Sequence, residues 1–157
     1  MANACGVDFG TSNSTVGWAR PGLPALLALE DGKPTLPSVV FFNAEEDKVS
    51  YGREALADYL AGYEGRLMRS LKSLLGTSLI DGQTEVGGRA LPFRMLLGHF
   101  IGELKRRAEC AAGRPFTSAV LGRPVFFIDD SAAADRLAED TLAGVARAAG
   151  FRDIAFQ

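Results

Sequence analysis

Residues 5–18 read CGVDFGTSNSTVGW, and this stretch narrows the folds open to the chain more than any other. CGVDF (5–9) is a short apolar run that suits a buried strand. GTSN is a cluster of turn formers, and STVGWA (14–19) returns as a second strand. With so short a link, the two strands must lie side by side and antiparallel. The domain therefore begins with a tight hairpin, and the rest of the chain has to extend or cover it.

The hairpin contains Asp8-Phe9-Gly10, a tripeptide with two readings. In a protein kinase an Asp-Phe-Gly holds metal deep in the chain, after a Gly-rich loop and a His-Arg-Asp loop. Here the aspartate is the eighth residue, no Gly-x-Gly-x-x-Gly or His-Arg-Asp occurs, and the single histidine is His99. The second reading treats Asp-x-Gly-Thr as an anion-binding turn. Gly10 permits a tight bend and close backbone approach. Successive backbone N–H groups at such a turn can form a concave nest for phosphate oxygens. Thr11, Ser12 and Asn13 add short donors. Asp8 beside phosphates requires a cation between them, and Mg²⁺ prefers carboxylate, water and phosphate oxygens. A plain hairpin turn satisfied by its own backbone stays open on spacing alone.

Beyond the hairpin, ALLALE (25–30) and LPSVVFF (36–42) read as a strand pair joined across DGKP, and KVSYG (48–52) as an edge strand. REALADYLAGY carries Leu56, Tyr59, Leu60 and Tyr63 at helical spacing. GRLMRSLKSLLG (65–76) is expected to be a helix too, with Leu67, Leu71 and Leu74 on one face and Gly76 as its stop. Lys72 would share a side with Met68 and Leu75, where a lysine ordinarily carries its charge out to water. TEVGGRAL (84–91) reads as a small hairpin. The longest helix is expected over 92–112, with Phe93, Leu97, Phe100, Ile101, Leu104 and Ala108 as its apolar stripe, Pro92 in its first turn and Gly113 at its end. TSAVLG (117–122) reads as a strand and PVFF as its exit. Asp129, Asp130 and Ser131 cap a last helix running to Ala149, with Leu137, Thr141, Val145 and Ala148 inward. Gly150 and Phe151 suit a Schellman ending. DIAFQ starts a further strand and stops, so the sequence reads as ending inside a domain.

The 157 residues suffice for one domain with its own core. A net charge of −2 and no basic stripe argue against a nucleic-acid partner. KRR (105–107) is expected to be a solvated helix face, as is His99; EED (45–47) a solvated turn; Trp18 core or rim packing. No apolar run approaches a membrane span, and no signal-peptide pattern opens the chain. Cys5 and Cys110 are far apart, which suits two buried or half-buried thiols in the reducing cytoplasm.

GVDFGTSNS resembles the first phosphate motif of the actin, hexokinase and heat-shock ATPase superfamily. Further stretches, in the same order, resemble the seventy-kilodalton heat-shock (DnaK-like) chaperones: DGKPTLPSVVFF, YGREALADY, LKSLLGTSL, AVLGRPVFF and ARAAGFRDIAFQ. Departures within the set are similar to a divergent, YegD-like branch. The resemblance implies an α/β, ribonuclease H-like (actin-like ATPase) domain whose mixed sheet has antiparallel hairpins followed by helix-strand-helix. Residues 1–157 would be its N-terminal lobe alone. The second lobe and peptide-binding domain would lie beyond Gln157, leaving the lobe inactive by itself.

Carried over residue by residue, the resemblance makes Asp8 the Mg²⁺ holder. Gly10, Thr11, Ser12 and Asn13 would cradle the phosphates of ATP or ADP, and Lys72 and Thr11 would be the catalytic pair. Unfolded polypeptides and co-chaperones would be met through parts outside this chain. Pro124 aligns with a proline that couples nucleotide state to the substrate domain, but FIDDSAAAD (127–135) lacks the arginine that usually follows it. The alternatives are a sugar- or acetate-kinase-like phosphotransferase and a nucleotide-binding interaction module that does not hydrolyse.

Overall fold

A computed structural model of the chain describes residues 3–124 and 127–157. The opening hairpin forms as expected. β1 (Ala4–Phe9) pairs antiparallel with β2 (Asn13–Gly17), in a register that sets Asp8 opposite Thr15. β2 in turn carries the two-residue β3 (Leu36–Pro37). On its other side β1 runs parallel to β9 (Ser118–Leu121), and β9 parallel to β10 (Asp153–Phe156). The order is thus β10-β9-β1-β2-β3, a mixed sheet. It corresponds to the expected α/β layering, with antiparallel strands first and parallel crossovers after.

Burial alternates along β1. Cys5, Val7 and Phe9 enter the core, while Gly6 and Asp8 are exposed on the opposite face. The buried face is covered by α2 (Phe93–Ala112) and α3 (Ala132–Ala148). The Phe9 and Phe100 rings stack with centroids 5.8 Å apart. Of the stripe expected for α2, Leu97, Phe100, Ile101, Leu104 and Ala108 are buried and Phe93 is half-buried, Leu96 joins them, and Gly113 ends the helix in a left-handed conformation. On α3 Ser131 Oγ accepts from Ala134 N. The Schellman ending also forms: Phe151 N donates to Ala146 O and Gly150 N to Arg147 O.

A second layer of structure is inserted between β3 and α2. β4 (Val40–Asn43) is the centre of an antiparallel sheet, flanked by β5 (Lys48–Tyr51) and β6 (Gly65–Met68). α1 (Gly52–Leu60) packs on it through Ala55 and Leu56. β7 (Gln83–Val86) and β8 (Arg89–Pro92) make the small hairpin predicted around Gly87-Gly88. No side chain at the start of α1 caps it. Glu30 instead reaches in from the preceding loop and accepts from Arg53 N and Glu54 N. Its carboxylate also meets the Arg53 guanidinium at 2.9 Å and that of Arg107 on α2 at 3.7 Å, so one buried acid ties the inserted layer to the main helix.

Several expectations are corrected. Residues 65–76 are not a helix: they are β6, then a single 3-10 turn over Leu71–Leu74. A Cβ on Gly65 would stand 1.9 Å from Phe42 O, so this glycine admits the close pairing to β4 that overrides the helical leucine spacing. Residues 25–30 do not pair with 36–42. Leu27 N and Trp18 N exchange bonds with the β2 edge and Ala25 O, and Asp31-Gly32 turns the chain only locally between Glu30 and Lys33. On α1, Leu60 points to water, being 81% exposed, and Tyr59 is half-exposed with its ring edge-on to Phe41. Leu137 is exposed as well, and Ala138 and Leu142 take the inward positions. KRR is not a solvated face: Lys105 pairs with Glu109 and Arg107 with Glu103 at mostly buried sites, leaving Arg106 outermost. The PVFF exit includes Val125 and Phe126, which lie outside the described residues. Among those described, no helix is long and apolar enough to cross a membrane.

Cys110 is exposed rather than half-buried, whereas Cys5 is buried and its thiol is pushed up to about 11 by desolvation. The thiolate is the reactive form. Iodoacetamide at neutral pH is therefore expected to label Cys110 in the native protein and to reach Cys5 only after unfolding, read by peptide mass mapping.

Candidate functional site

The exposed turn between β1 and β2 lies at one end of the main sheet. Gly10 cannot be replaced without moving the chain, because a Cβ there would sit 2.2 Å from Asn13 O. The bend is that tight, and it leaves Thr11, Ser12 and Asn13 exposed. Ser38, just after β3, holds it from beneath. Ser38 Oγ donates to Gly10 O at 2.8 Å and shares a 2.9 Å bond with Ser14 Oγ, while Ser38 N donates to Ser12 O at 2.9 Å. Ser14 and Ser38 are both buried. Sequence reasoning missed them as site residues, although both lie within the quoted stretches GVDFGTSNS and DGKPTLPSVVFF. The signal available was a serine in an apolar strand, a polar group that must find a buried partner.

Asp8 stands at the carboxyl end of β1, beside the carboxyl end of the parallel β9. Gly122 N donates to Val7 O at 2.9 Å, and a Cβ on Gly122 would be 3.8 Å from Asp8 Oδ1. The crevice outside the carboxyl ends of parallel strands is where open α/β sheets take ligands. No group of three or more metal-ligating side chains gathers among the described residues, so Asp8 offers a lone carboxylate. Thr11, Ser12 and Asn13 line a groove of about 380 Å³ together with Pro37, Ser38 and the segment Arg69-Ser70. Arg69 thus borders the same groove as the turn, as do the apolar Val39 and Leu56.

Lys72 does not line that groove. It lies two residues beyond Ser70, on the 3-10 turn, half-buried, with Nζ 5.8 Å from the centroid of the Phe127 ring. The expected helix face with Met68 and Leu75 does not exist. Leu71 and Leu75 anchor the turn in the core instead. The structure therefore brings Thr11, Ser12 and Asn13 together, sets Asp8 at the neighbouring strand ends, and holds Lys72 on an adjoining turn. Of the residues read as bystanders, Trp18 is half-buried at the rim between the Arg20 and Arg114 guanidiniums, and His99 is exposed.

A parallel β-α-β crossover attached to an antiparallel hairpin, with a tight polar turn at the strand ends, is the arrangement expected in the actin-like ATPase fold. The family model described as Hsp70 protein matches residues 4–98. The chain is also 31% identical over 144 residues to a protein named "Chaperone protein HscA homolog" from Aromatoleum aromaticum (strain DSM 19018 / LMG 30748 / EbN1), in an alignment covering 80% of this chain and 23% of that relative. The chain belongs to the Hsp70 family, as the order of its motifs implied, and it spans under a quarter of the length of this curated relative.

Ser38→Ala is expected to cost about 1–3 kcal/mol in urea unfolding, because it leaves Gly10 O and the Ser14 hydroxyl without their buried partner. Thr11→Ala, at an exposed position, is expected to stay within about 0.5 kcal/mol. Equal losses for the two would show that Ser38 does not clamp the turn.

Proposed function

We propose that residues 1–157 are the N-terminal lobe of the nucleotide-binding domain of an ATP-dependent molecular chaperone working in the cytoplasm. The complete protein would hydrolyse ATP to drive binding and release of unfolded polypeptide. The observation that carries this reading is the turn itself. Gly10 keeps the backbone open to close approach, Ser38 fixes the bend, and three short polar side chains face a groove that also holds Arg69. Such a cradle suits phosphate oxygens, which accept hydrogen bonds and favour a nearby cation.

The residues present fit ATP with Mg²⁺. Asp8 is exposed beside a glycine, so its carboxylate has room for a hydrated cation. Bound Mg²⁺ would neutralise charge on the phosphates. Gly10, Thr11, Ser12 and Asn13 bind and orient the β- and γ-phosphates through backbone N–H groups and hydroxyls. Thr11 and Lys72 form the pair closest to hydrolysis. Lys72 supplies a positive charge that stabilises charge developing on the transferred group. The second lobe would close the groove from the other side. Co-chaperone and client contacts would use parts of the protein outside this chain.

Membership of the Hsp70 family favours hydrolysis over transfer to a small acceptor. The full-length protein is expected to turn over MgATP with no acceptor present, and Lys72→Ala to lower kcat about a hundredfold. Release of a fluorescent unfolded polypeptide is expected to accelerate on adding MgATP. Turnover only with a sugar or carboxylic acid would assign the protein to phosphoryl transfer. Tight ATP binding without turnover would make it a nucleotide-dependent interaction module.

A further inference from the structure

The loop that follows β9 meets Lys72 through an aromatic ring. Phe127 lies between two cations, with Lys72 Nζ 5.8 Å and the Arg123 guanidinium 5.2 Å from its ring centroid. Both distances suit cation–π attraction. The ring is held by one carboxylate on the first turn of α3. Asp135 Oδ1 accepts from Phe127 N at 2.5 Å, and Asp135 Oδ2 accepts from Arg123 Nη2 at 2.8 Å. Arg123 Nε also lies 3.2 Å from Glu139 Oε2, at an angle too oblique for a hydrogen bond, so the two meet as an ion pair. The Phe127 N–H and the Arg123 guanidinium hold the Asp135 carboxyl below the usual carboxylate range.

The lysine-bearing turn is pressed against the same loop. Gly76 has φ 76°, and a Cβ there would stand 2.6 Å from Ile128 Cγ1 and 2.8 Å from Ala134 O. Turn, loop and helix start are therefore packed too closely to shift independently. We infer that Asp135 is a positioning residue for Lys72: it fixes the Phe127 backbone and the Arg123 guanidinium, and so sets the ring on which the lysine ammonium rests. This rests on the reading of Lys72 as a hydrolytic residue given above.

The test uses full-length protein with MgATP. Asp135→Ala is expected to lower kcat about tenfold with KM changed by less than about twofold, and to add no further loss in a Lys72→Ala background. Asp135→Asn keeps an oxygen acceptor for Phe127 N–H and is expected to recover most of the rate. Losses that add in the double variant would overturn the inference. A second readout needs no turnover. In protein carrying ¹³C-dimethylated lysines, the Lys72 methyl signal should feel the Phe127 ring current. It should move to the position of a free lysine in Asp135→Ala and in Phe127→Leu. A Lys72 signal that moves in Phe127→Leu but stays fixed in Asp135→Ala would overturn the inference. If Lys72→Ala leaves hydrolysis intact, the hydrolytic reading fails, and the methyl signal still decides whether Asp135 positions the lysine.

Discussion

Ser38 Oγ lies 2.8 Å from Gly10 O and 2.9 Å from Ser14 Oγ, so a buried hydroxyl joins both sides of an exposed bend to the strand beneath it. A three-residue link between strands has many conformations open to it, and ordering it carries an entropic cost. The side chains that face the groove, Thr11, Ser12 and Asn13, are exposed and contribute little to that ordering. The order comes from below, where Ser38 bonds to Gly10, Ser12 and Ser14. The side chains free to meet a ligand and the side chains that shape the bend are thus separate sets. Removal of the second set would alter the first without touching it.

The same division recurs in the inserted layer. α1 begins at Tyr51-Gly52 with no local side-chain cap, which leaves N–H groups at its start without partners from its own sequence. Glu30, more than twenty residues earlier, supplies the acceptors and at the same time pairs with Arg53 and Arg107. A carboxylate buried to this degree is costly unless its lone pairs are used. Here backbone and guanidinium donors share them, so a single acid fixes α1 to the loop before β3 and to α2. The inserted layer, which carries Arg69 and Ser70 on the far side of the groove from Thr11–Asn13, is thus tied to the main helix at Glu30.

Where local pattern and tertiary pairing agree, the sequence is readable. The β1–β2 hairpin has turn formers between two apolar runs. α2 has a stripe that recurs every three or four residues over five turns. The end of α3 has a glycine followed by an aromatic residue. Where they disagree, pairing wins. GRLMRSLKSLLG spaces its leucines as a helix would, yet β4 offers an open edge and Gly65 lets the backbones approach, so its first four residues become β6. Tyr59, Leu60 and Leu137 show the opposite limit: helical spacing identifies a stripe but not which stripe is covered. Near the site, the tight bend was legible because glycine and short polar side chains between two apolar runs are ordinary turn formers, whereas the choice of a ligand role for them came only from the family resemblance. Ser14, Ser38, Glu30 and Asp135 were not legible, because each acts on a partner distant in sequence.

Arg123 shows how a partner distant in sequence joins two elements at the end of the sheet. The family resemblance led to an arginine a few residues after Pro124, as that proline's partner, and FIDDSAAAD contains none. The structure places a guanidinium one residue before Pro124 and meets it with Asp135 and Glu139 from α3. Those two acids are four residues apart on a helix and would repel each other if left alone. With Arg123 between them, the repulsion becomes a bridge from strand end to helix. Partly exposed ion pairs of this kind add little to stability. What they supply is geometry: the carboxylate that binds Arg123 also receives the Phe127 N–H, and Phe127 touches Lys72. Gly76, at the end of the turn that carries the lysine, also comes close to Ile128 and Ala134, so lysine, ring and helix start belong to one packed cluster.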